Sequence, residues 1–78
     1  GPAMTDLKKL ASTTGLSIMY TLYVPGRFTR FANRVLGASA SDADRKALRQ
    51  KLSTIGWFLL DWQINYGKII KDANIKVD

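Results

Sequence analysis

The sequence has no cysteine, no histidine and no glutamate; its six acidic residues are all aspartate. Without cysteine there is no disulfide to staple the chain and no thiol nucleophile. Without histidine, the most common general base and a usual transition-metal ligand are both missing. No catalytic or cofactor motif is present, which predicts a non-enzymatic protein with no cofactor and no metal site. No run approaches the eighteen or so apolar residues of a membrane-crossing helix. The slightly basic N-terminus is not followed by the apolar region and cleavage site of a signal peptide, so an intracellular setting is favoured.

What remains is a short, apolar and basic chain. Its 78 residues are 46% hydrophobic, with two Trp, three Tyr and three Phe. That is too apolar for disorder and long enough for one domain with a thin core. Gly1-Pro2-Ala3 before Met4 reads as a protease-cleavage and cloning remnant and is set aside in reading the fold. Residues 4–72 are expected to form a single helical domain and 73–78 a frayed tail.

The longest helical pattern runs from Ser41 to Asp72. Leu48, Leu52, Ile55, Leu59, Trp62, Tyr66 and Ile69 recur at spacings of four and three, the seam of one face. Ser41 with Asp44 three residues later reads as a capping box, and Asp42 and Asp44 suit the positive end of the helix dipole. Lys68 and Lys71 suit the other end. A helix of that length would run about 45 Å, so the rest of the chain must lie along it. Trp57, Leu60 and Ile64 point away from the seam, into a face otherwise holding Lys46, Gln50, Ser53, Lys68 and Lys71. A helix apolar on two sides needs cover on both. Gly56 and Gly67 each cost about 1 kcal/mol inside a helix. They read as points of close backbone approach, or as a kink or helix end near Gly67.

Two helices precede it. Thr5 or Asp6 can cap the first, whose apolar positions are Leu7, Leu10, Ala11, Ile18 and Leu22, with Met19, Tyr20 and Tyr23 widening the arc. Ser12-Thr13-Thr14-Gly15 is a weak helical tract that can break it into two. Pro25-Gly26 ends that segment. From Arg27 to Leu36, one face holds Phe28, Phe31, Ala32 and Val35 and another holds Arg27, Arg30 and Arg34. Gly37 is placed as the residue just past the helix end. The expected fold is all-α: a small three-helix bundle with a long C-terminal helix, or four segments if the first helix breaks near Gly15. The second helix is expected to pack on the Asp42–Leu52 half of the third and the first on the Ile55–Ile69 half.

The net charge of +6 is uneven: seven basic residues against Asp42 and Asp44 between Arg27 and Lys51. The expected folding gathers Arg27, Arg30 and Arg34 with Arg45, Lys46 and Arg49 at one end. A basic end favours acidic partners, although it equally describes a solvated surface. A helix-turn-helix reading fails, because the third helix is too apolar to enter a major groove and starts with two acids. Asp61 interrupts the apolar stretch with no second acid or histidine in reach, and reads as a surface charge or an arginine's partner.

Three classes of function follow. The first is a protein-interaction module that forms a homodimer through Trp57, Leu60 and Ile64. The second is sequence-independent nucleic-acid binding through the basic end. The third is peripheral binding to anionic membrane, with Trp57, Leu60 and Ile64 inserted and Lys46, Arg49, Lys68 and Lys71 at the headgroups.

Overall fold

The computed structural model describes the backbone of residues 2–74 and the side chains of residues 6–66, 68 and 70–74. The chain is all-α, in four helices: α1 (Pro2–Tyr23), α2 (Arg27–Leu36), α3 (Asp42–Ile64) and α4 (Tyr66–Asp72). Among the described residues there is no strand, and no helix is long and apolar enough to cross a membrane.

α1 begins at Pro2, ahead of the expected Thr5 or Asp6 cap. Proline suits a first helical turn, where its missing N–H needs no partner. Nor does α1 break at Gly15; it continues unbroken to Tyr23. The weak tract is held by tertiary packing, since Gly15 is buried against α3. A Cβ built on Gly15 would fall 2.9 Å from Leu60 Cγ and Cδ2, and one built on Gly56 2.8 Å from Ile18 Cγ2. The two glycines thus mark a close approach of α1 and α3.

Local signals set the other boundaries. Gly26 adopts φ 81° between α1 and α2, and Gly37 adopts φ 96° while its N–H donates to the Asn33 carbonyl. Both conformations favour glycine. The Ser41 hydroxyl accepts the Asp44 N–H at 3.1 Å and starts α3. The long helix does not reach Asp72 in one piece. At Asn65 the side-chain amide donates to the Asp61 carbonyl at 2.9 Å and to its carboxylate at 3.0 Å. α3 stops there, and α4 restarts at Tyr66. Ala73 and Asn74 form a turn; residues 75–78 of the expected tail lie outside the described residues.

α1 and α3 run antiparallel along most of their length. Lys8 Nζ lies 5.4 Å over the Tyr66 ring at one end. At the other, Arg49 Nη1 donates to the Leu22 carbonyl at 2.9 Å. α1 therefore covers more of α3 than its expected C-terminal half. α2 closes the second end, with Phe28 beneath the Arg49 guanidinium at 4.5 Å. The molecule measures 49 × 19 × 17 Å. Its core is thin: among the described residues the buried apolar ones are Ala11, Leu22 and Ala32, of which only Leu22 is large.

Candidate functional site

The placement of Trp57, Leu60 and Ile64 follows from Gly56. At 100° per residue, Leu52 and Leu60 lie about 40° to either side of it on the α3 wheel. The expected seam and the expected outlying trio are therefore two shoulders of one broad face, and α1 lies in the saddle between them. Leu60 sits against Gly15 and is half-buried, so it belongs partly to the α1–α3 contact. Trp57 and Ile64 remain 57% and 74% exposed. The trio is thus beside α1, rather than on a face opposite the packed one.

Leu16 of α1 is 59% exposed and completes this shoulder. With Leu60, Trp57 and Ile64 it lines a groove of about 420 Å³, whose polar members are Ser12, Asp61 and Gln63. Asp61 is exposed, and its carboxylate accepts from Asn65. Sequence reasoning missed Leu16, although it lies about 100° from Gly15, as Trp57 does from Gly56.

The other shoulder is grooved too. Leu7, Leu10, Ala11, Thr14, Phe58, Leu59 and Trp62 line a second depression of about 390 Å³. Leu7 and Leu10, expected in the core, are 50% and 61% exposed, because the α1 contact is centred on Ala11, Gly15 and Leu22 instead. Ile55 of the expected seam is likewise exposed. Trp62 meets Tyr66 edge-on at 5.4 Å near this groove's end, and the Tyr66 hydroxyl is buried without a hydrogen-bond partner.

At the α2 end, the six basic residues separate into different roles. Arg45 is a clip: Nε donates to the Ala40 carbonyl at 3.2 Å, and Nη2 to the carbonyls of Gly37 and Ala38 and to Asn33 Oδ1 at 2.9 Å. Arg49 braces Leu22 and covers Phe28. Arg27 stacks over the Tyr20 ring at 4.4 Å. Arg27, Arg30 and Arg34 are exposed and line one cleft, and Lys46 is an exposed surface charge. The expected six-residue site is therefore a three-arginine cleft beside two structural arginines. Among the described residues no group of three or more acidic side chains could hold a metal ion.

Over 55 residues the chain is 44% identical to the "Uncharacterized protein y4iJ" of Sinorhizobium fredii (strain NBRC 101917 / NGR234), a match covering 70% of this chain and 9% of that protein. The chain thus matches less than a tenth of its relative's length. No family model and no solved structure matches it.

Proposed function

We propose that this chain is a non-enzymatic helical interaction module that pairs with a second copy of itself through the Leu16/Trp57/Leu60/Ile64 groove. Surface area is the observation that supports this reading most. The chain exposes 5778 Å², whereas a compact monomer of 8.7 kDa exposes about 4,700 Å². The chain's radius of gyration, 15.8 Å, also exceeds the 11–12 Å or so of a compact chain this long.

Charge favours this groove over the arginine-lined α2 end. Copies carrying +6 each repel one another. The one charged residue lining the groove is Asp61, so pairing there brings no cations of the two copies together. Two-fold pairing would set Leu16, Trp57, Leu60 and Ile64 of each copy against the same residues of the other, the most common closed arrangement.

Emission from Trp57, read in a Trp62→Phe background, tests the reading. It should shift to the blue as protein concentration rises in buffer. A shift that appears only on adding anionic vesicles would assign the groove to a membrane surface instead.

A further inference from the structure

The α2 end carries a surface of different chemistry. Arg27, Arg30 and Arg34 line a cleft of about 580 Å³ together with Thr21, Phe31 and Asn33. The sequence holds no acid between Asp6 and Asp42, so neither α2 nor the α1 wall of the cleft offers an internal counter-ion. The groups around it are arranged as donors. Stacking on Tyr20 holds the Arg27 guanidinium at one edge. Arg45 occupies the Asn33 amide oxygen, which leaves the Asn33 N–H₂ as that side chain's free function. With Arg45 and Arg49 engaged in the fold, the three α2 arginines are the forks available to a ligand.

We propose that this cleft binds the phosphodiester backbone of nucleic acid without reading its sequence. Guanidinium forks match phosphate oxygens in pairs. From Arg27 to Arg34 the helix rises about 10 Å, which spans about three phosphates of one strand at 3.4 Å of axial rise each. A run of charges at that length suits a polymer better than one headgroup. The cleft offers a single amide, Asn33, so base edges would go largely unread. The exposed Ile64 that a lipid surface would take up lies far from this end, about 22 Å along α3 from Arg49. The proposal therefore does not rest on self-association.

The test is fluorescence anisotropy of labelled duplexes of unrelated sequence, titrated at several salt concentrations. Wild type is compared with Arg30→Gln/Arg34→Gln, which spares the Tyr20 stack, and with Lys9→Gln/Lys51→Gln, which removes two exposed charges elsewhere. Circular dichroism confirms that each is folded. The arginine variant should bind all duplexes more weakly and to a similar degree. Its log–log salt slope should be shallower by about 1.8, two contacts at about 0.9 each. The lysine variant should keep the wild-type slope. Equal losses in both variants would overturn the proposal in favour of diffuse charge. An unchanged slope in the arginine variant would overturn it as well. So would arginine-dependent binding to phosphatidylserine vesicles without binding to duplexes.

Discussion

Gly15 and Gly56 face each other across the α1–α3 contact: a Cβ on Gly15 would stand 3.5 Å from the Gly56 carbonyl oxygen. Each glycine admits large side chains of the facing helix, Leu60 over Gly15 and Ile18 with Met19 over Gly56. The large apolar residues to either side remain exposed, Leu16, Trp57 and Ile64 on one shoulder and Leu7, Leu10 and Phe58 on the other. The thin core and the apolar surface are consequences of the same packing.

Gly56→Ala tests the close approach through the sign of its effect. If Gly56 were an ordinary helical glycine, alanine would stabilise by about 1 kcal/mol. Against Ile18 and Met19, the added methyl would lie 2.8 Å from Ile18 Cγ2 and 3.4 Å from Ile18 Cβ. Overpacking of this kind costs about 1–3 kcal/mol. Urea denaturation should therefore show a net loss of stability. A gain would mean that the helices are further apart than described.

Arg45 should behave as a structural residue. Arg45→Lys keeps the charge but loses the planar fork that reaches three carbonyls and Asn33. The expected loss is about 1–3 kcal/mol, read by chemical denaturation. A variant as stable as wild type would show that the α2–α3 connection holds without the clip.

These contacts show where the sequence was legible. Ser41, Gly37 and the Pro25-Gly26 turn declare themselves within a few residues, because a cap or a positive φ is a local requirement. The faces of α3 were harder. A hydrophobic seam is found by counting large apolar residues, and the line of contact runs through Gly56, which has no side chain to count. Leu52 and Leu60, on its two flanks, accordingly read as belonging to opposite faces. The stop at Asn65 was hidden for another reason. It depends on hydrogen bonds to Asp61, one turn earlier, and such pairs also occur within continuous helices. The arginine stripe of α2 was visible from its spacing. Its separation from Arg45 and Arg49 was not, because their partners lie on other elements.

Leu60 and its neighbours should respond differently to charge. Leu60→Lys places an ammonium against Gly15 at the helix contact, and should lower the melting temperature sharply. Leu16→Lys with Ile64→Lys alters exposed positions and should leave the monomer folded. Thermal melting of the two variants draws the distinction directly: equal losses in the two proteins would mean that Leu16 and Ile64 belong to the monomer's core.

Salt should act in opposite directions on the two proposed surfaces. Added salt screens repulsion between +6 chains and should strengthen apolar self-association. The same salt should weaken nucleic-acid binding. If self-association instead falls steeply with salt, its main force is electrostatic and the apolar groove is not the contact.

Sedimentation velocity on the wild type beside Leu16→Lys/Ile64→Lys tests self-association most directly, run from about 10 µM to about 1 mM to cover weak and moderate affinities. The expected result is a wild type whose mass rises toward a dimer with concentration, beside a variant that is folded and monomeric throughout. A wild type that remains monomeric to the top of that range, or a variant that dimerises as well as the wild type, would contradict it.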